Sequence, residues 1–127
     1  MKKVCIYCRT AQDNQVELDL QIEKLKDFAK EKDLEIVKII SETGSGLDFN
    51  RKGLNEIMKI AKSKQVDMIL VRDISRISRD TIFNLKFVEE IQKFAEFKTV
   101  DSFDTSENDW DEVISALPQF FSIHKKG

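Results

Sequence analysis

The chain has 127 residues, 41% hydrophobic and 35% charged, and its 21 basic and 23 acidic side chains leave a formal net charge of −2. That length bounds one domain with a single core, and the near-cancelled charge excludes a domain that holds a polyanion by bulk electrostatics. No apolar stretch approaches transmembrane length, and Met1-Lys2-Lys3 leads straight into a strand-like run rather than a secretory leader, so a cytoplasmic, membrane-free protein is expected.

Residues 3–8 are a short apolar, β-branched run and predict a strand. Residues 15–32 carry Leu18, Ile22, Leu25 and Ala29 at helical spacing with Phe28 beside them, and Asp13 or Asn14 offers the cap. A second strand is expected over residues 35–40, followed by the turn Thr43-Gly44-Ser45-Gly46. Leu54, Ile57, Met58 and Ala61 predict a second amphipathic helix. The continuous apolar run 68–71 fits a strand covered on both faces. A third helix is expected from about Thr81 to Ala95, with Ile82, Leu85 and Val88 among its apolar positions. This βαβαβα order predicts an α/β fold: a mainly parallel, doubly wound sheet with helices on both faces, occupying residues 1–100.

The remainder, 101–127, differs. Asp101, Asp104, Glu107, Asp109, Asp111 and Glu112 form an acidic loop, and a helix is expected from Trp110 with Val113, Ile114, Leu117, Phe120, Phe121 and Ile123 on it. Pro118 would kink that helix. So many large apolar groups on one terminal helix point to cover by a partner subunit or a neighbouring domain.

The only cysteines, Cys5 and Cys8, share the first strand. Strand residues three apart face opposite sides, so a disulfide between them is not expected, and no metal site or redox couple follows. Response-regulator chemistry is excluded because Cys8-Arg9-Thr10-Ala11 supplies no acid cluster, and Gly44-x-Gly46 lacks the rest of a nucleotide-loop fingerprint.

In folds of this order, function gathers at the carboxyl ends of the strands. Three segments meet on that edge: Cys8-Arg9, the loop after Ile40, and Arg72-Asp73-Ile74-Ser75-Arg76-Ile77-Ser78-Arg79. Arginines gathered there are costly unless an anion lies between them, and guanidinium forks match phosphate oxygens bidentately. Singly, each arginine has a plainer reading: Arg9 as a salt-bridged strand end, Arg51 as an exposed first-turn residue, Arg76 and Arg79 as surface partners of Asp73 and Asp80.

Taken together the segments carry a resemblance. Tyr7-x-Arg9 followed by Gln15 and Gln21 resembles the opening of the catalytic domain of serine recombinases, the resolvases and invertases. Gly44-Ser45-Gly46 followed by Arg51-Lys52-Gly53-Leu54, and then Ile74-Ser75-Arg76-Ile77-Ser78-Arg79, resemble that family's second and third signatures, so the likeness spans residues 4–95. It implies attack of a serine hydroxyl on a DNA backbone phosphate, a phosphoserine linkage with a free 3′ hydroxyl, and rejoining that yields integration, inversion or resolution. It also implies Arg9, Arg51, Arg76 and Arg79 as the phosphate-binding cluster and Gln15 as a positioning group, with no metal or other cofactor. DNA is the implied partner, the implied assembly is a homodimer or homotetramer, and the implied DNA-binding domain would follow Gly127. The chain departs from the pattern where it matters most. The nucleophile position holds Ala11, whose methyl group has no lone pair to attack with. The alternative expectation is a naturally non-catalytic, resolvase-like dimerisation or regulatory module.

Overall fold

The structure is a computed structural model and describes residues 1–101. Four strands, β1 (Lys3–Thr10), β2 (Glu35–Thr43), β3 (Met68–Val71) and β4 (Glu96–Thr99), pair in the order β2-β1-β3-β4, every pairing parallel. Three helices connect them: α1 (Gln15–Glu31), α2 (Lys52–Lys62) and α3 (Thr81–Gln92). The expected doubly wound sheet is therefore present among the described residues. The expected helix beyond Trp110 and the acidic run after Asp101 lie outside them.

The strand alternation sorts the core into two layers. Val4, Ile6, Cys8, Met68 and Leu70 pack with Leu18 and Leu25 of α1. Cys5, Tyr7, Ile69 and Val71 pack on the opposite face with Leu54, Ile57 and Ile60 of α2 and Val88 and Ile91 of α3. Both faces of β1 and β3 are covered, which explains why their sequences read as unbroken apolar runs. Local signals set the helix starts. The Asn14 side chain accepts the Glu17 amide at 3.0 Å, and the Asp80 carboxylate accepts the Phe83 amide at 2.8 Å.

One strand was not expected. β4 is only four residues, Glu-Phe-Lys-Thr, and lies at the sheet edge. Only Phe97 and Thr99 are buried, so its apolar content is too small to stand out from a helix tail. Correspondingly, α3 ends at Gln92, and Lys93–95 forms the turn that admits β4.

Cys5 and Cys8 are both free, fully buried, and divided between the two core layers. Burial pushes each thiol up to about 12. Neither should react with a disulfide reagent at near-neutral pH, and both should react once denaturant is added; rapid labelling of the folded protein would contradict this packing.

The order β2-β1-β3-β4 has its switch point between β1 and β3, where the chain leaves in opposite directions. The β1/β3 pairing ends at Tyr7 and Val71, while the β1/β2 pairing continues to Thr10 and Thr43. Cys8, Arg9 and Thr10 thus run on past the end of β3. The space beside them is filled by the segment after β3, which folds into a 3-10 turn, Ile74–Arg76, closed at its start by the Asp73 side chain.

A candidate phosphate site at the switch point

Arg9 leaves β1 into this space and is only 4% exposed. Its guanidinium donates to three backbone carbonyls: Arg76 from Nε at 3.0 Å, Gly44 from Nη1 at 2.8 Å and Ser75 from Nη2 at 2.7 Å. One side chain therefore ties the end of β1 to the loop after β2 and the turn after β3. Its own backbone is gripped by Gln21 of α1, whose amide accepts from Arg9 N at 3.3 Å and donates to Arg9 O at 3.0 Å. Gln21 is 1% exposed and occupies the helix stripe of Leu18 and Leu25. A polar residue in a buried stripe was the sequence signal for this clamp.

Arg51 is the residue before the first turn of α2 and is also 4% exposed, which overturns its reading as an exposed first-turn residue. Its Nε donates to the Asp48 carbonyl at 3.1 Å, and Nη2 donates to the carbonyls of Ile77 and, at 3.4 Å, Arg76. Nη1 is buried with no partner among the described residues. The guanidinium carbon lies 6.0 Å from the centre of the Tyr7 ring. With an arginine at its cap, α2 takes a carboxylate from outside: Glu42 accepts the Gly53 amide at 2.9 Å and the Tyr7 hydroxyl. Burial and the bond to Glu42 raise the Tyr7 pKa, so the phenol stays neutral. A Cβ at Gly53 would stand 2.4 Å from Glu42 Oε2 and 2.8 Å from Tyr7, so only glycine permits this approach.

Arg76 and Arg79 complete the group. Arg76 Nη1 donates to the Arg9 carbonyl at 2.9 Å and lies 3.6 Å from Glu17, while Nε lies 3.5 Å from Asp73. The surface pairing with Asp73 is thus present. Asp80, by contrast, is occupied in capping α3. Arg79 is exposed, its amide donates to the Gly46 carbonyl at 2.8 Å, and its stem lies where a Gly46 side chain would be, 2.3 Å from an added Cβ. The same Cβ would be 3.2 Å from Arg9 Nη2, so Gly46 is where the first and third segments meet.

The electrostatics of the group follow from its partners. Among the described residues Arg9, Arg51 and Arg79 form no salt bridge. Backbone carbonyls satisfy guanidinium hydrogens without cancelling charge. Burial first, and then repulsion from Arg51, Arg76 and Arg79, lowers the Arg9 pKa. An arginine nonetheless remains protonated, so the positive charge stays in place.

The remaining expected residues take no part in those hydrogen bonds. Ala11 follows β1 directly and is exposed. Gln15 is exposed at the start of α1, where its amide donates to Asp19 at 2.9 Å, and the amide that reaches Arg9 is Gln21's. The nearby hydroxyls are committed. Thr10 donates to the Gln12 carbonyl at 2.7 Å, and Ser45 accepts the Leu47 amide at 3.1 Å. Ser75 donates to Asp73. Ser78 is 1% exposed and donates to Asn84 at 2.7 Å.

Comparison with known proteins gives the family and the fold. The family model "Resolvase, N terminal domain" matches residues 4–123. A resolvase family site-specific recombinase from Streptococcus pneumoniae is similar at 26% identity and TM-score 0.76, over 99% of this chain and 89% of that one. The C-terminal catalytic domain of ISC1926 TnpA, an IS607-like serine recombinase, is similar at 26% identity and TM-score 0.72, over 77% of this chain and 70% of that one. The N-terminal catalytic domain of TP901-1 integrase shares the fold at 20% identity and TM-score 0.79, over 98% of each chain. Among curated protein sequences nothing matches significantly.

Proposed function

The chain belongs to the resolvase N-terminal-domain family of serine recombinases, and from that premise we propose that its arginine cluster grips a DNA backbone phosphate which Ala11 cannot attack. The supporting observation is the pair Arg9 and Arg51, each 4% exposed, held by carbonyls and forming no salt bridge among the described residues, with the nearby Glu42 carboxylate engaged by the Gly53 amide and the Tyr7 hydroxyl. Two like charges kept together without an ion pair favour an anion as the missing partner. The fork geometry favours a phosphate with several oxygens to share.

In the reading proposed, Arg9 and Arg51 form the floor of the site, and Arg51 Nη1 is the donor left for the ligand. Arg76 and Arg79 approach from the turn after β3 and stabilise charge developing on the phosphoryl oxygens. Gln21 fixes Arg9, and Gln15, which in this structure donates to Asp19, would have to leave that bond to act as the positioning group the family resemblance implies. The covalent step of the family transfers a phosphoryl group to a hydroxyl oxygen, with the 3′ oxygen of the DNA leaving as a hydroxyl. Ala11 supplies no such oxygen; the Thr10, Ser75 and Ser78 hydroxyls donate to other acceptors, and Ser45 is held as the acceptor of the Leu47 amide. The chain as given binds the phosphate and leaves the strand intact. DNA, a second or fourth copy of the chain, and a separate DNA-binding domain are the partners this reading requires.

The alternative, a non-catalytic assembly module, is favoured by Ala11, by the net charge of −2 and by the apolar residues expected on the terminal helix, and predicts the same absence of cleavage. Phosphate binding separates the two. Arg79 is exposed and its guanidinium makes no hydrogen bond or salt bridge among the described residues, so Arg79→Ala should unfold at the wild-type temperature. DNA affinity measured across a salt series should fall for that variant, with the logarithmic slope against salt reduced by about 1. An unchanged slope would favour the assembly module.

A further inference from the structure

Phe49 and Phe83 stack with ring centres 4.4 Å apart and planes 10° from parallel, and Phe83 continues the stack onto Phe87 at 5.8 Å. Phe83 and Phe87 are partly buried against the core. Phe49 is the outer ring and stays 40% exposed. It lies two residues before Arg51, next to Asp48, whose carbonyl holds the Arg51 guanidinium. Phe83 lies four residues after Arg79 and takes the cap bond from Asp80. Leu47, 67% exposed, and Ile82, 41% exposed, flank the two rings in sequence. The rings therefore join the loop of the second segment to the helix that follows the third, within four residues in sequence of Arg51 and Arg79.

The outer ring is backed by a second ring stacked beneath it. Cation next to flat ring is the complement of a nucleotide, in which a phosphate adjoins a flat base. We propose that Phe49 is a stacking platform for a nucleobase adjacent to the phosphate gripped by Arg51 and Arg79. The inference rests on the phosphate reading above and adds the base to it. Every base has a π-face, so this contact holds the substrate without reading its sequence.

The test compares two ligands on the folded protein by nuclear magnetic resonance titration: a thymidine dinucleotide and the same sugar–phosphate diester without bases. Wild-type protein should bind the dinucleotide at least about fivefold more tightly than the abasic diester, as one stacked base provides. The Phe49 ring signals should move only with the dinucleotide. Phe49→Leu keeps an apolar contact with Phe83 but has no plane, and should lose the preference while binding the abasic diester as before. Equal affinities for the two ligands in wild type would overturn the platform and leave the phosphate reading standing. Equal weakening of both ligands by Phe49→Leu would show the stack to be a tether for the loop. Ring signals that move with protein concentration instead would make the patch a self-association surface. Failure of either ligand to move the arginine signals would remove the phosphate reading and the platform with it.

Discussion

Replacing Ala11 by serine, with the chain fused to a DNA-binding domain of known target, should produce a covalent protein–DNA adduct where the present chain produces none. The charge needed at the phosphate is already gathered, with Arg9 and Arg51 fixed by carbonyls and Arg76 and Arg79 set on the turn after β3. What is absent is an oxygen at the position directly beyond β1, two residues after Arg9. That position is exposed, so a serine hydroxyl there needs no cavity and displaces no core group. The adduct should carry the 5′ phosphate and release a 3′ hydroxyl, detectable as a gel shift that survives denaturant. Ala11→Cys offers a control of nearly the same size. No adduct with Ala11→Ser on a bound target would mean that the site has lost more than its nucleophile.

The second large effect concerns Arg51. Arg51→Ala should lower stability by about 1–3 kcal/mol, because the buried Ile77 carbonyl loses its donor and an unsatisfied polar group costs on the order of 1–3 kcal/mol. The Asp48 carbonyl belongs to an exposed residue, and the Arg76 carbonyl keeps its bond from Arg9 Nε. Relief of repulsion with Arg9 offsets part of the loss. Arg51→Lys should recover little of it, since a single ammonium cannot span carbonyls on two sides as a planar fork does. Equilibrium denaturation of the three proteins reads this directly. Wild-type stability in Arg51→Ala would show that the guanidinium does not hold the loop after β2 to the turn after β3.

The fold was largely legible because its strands and helices follow simple periodicities. β1 and β3 read as buried strands for the reason that both faces are covered, and α1 began where Asn14 could cap it. β4 was missed because four residues at an edge, two of them charged, carry no period worth reading. The site was legible as a set of segments but not as a geometry. Spacing brought Arg9, Arg51, Arg76 and Arg79 to one edge, yet gave no sign that Arg9 and Arg51 are buried and served by carbonyls. Backbone acceptors have no sequence signature, whereas the carboxylates of Asp73 and Asp80 do. Hence the surface pairing expected for Arg76 was found, and the acid beside Arg79 proved to be a helix cap. Gln21 was visible as an oddity in an apolar stripe, but its double bond to the Arg9 backbone depends on how α1 lies on β1.

The most direct test of the account is the arginine Nε–H spectrum of the folded protein titrated with a short DNA duplex, against chloride at equal ionic strength. The signals of Arg9, Arg51, Arg76 and Arg79 should shift together and saturate with DNA, while Arg72, held by Asp101 outside the group, should stay in place. Movement of Arg72 alone, or equal movement with chloride, would contradict a built phosphate site at the end of β1.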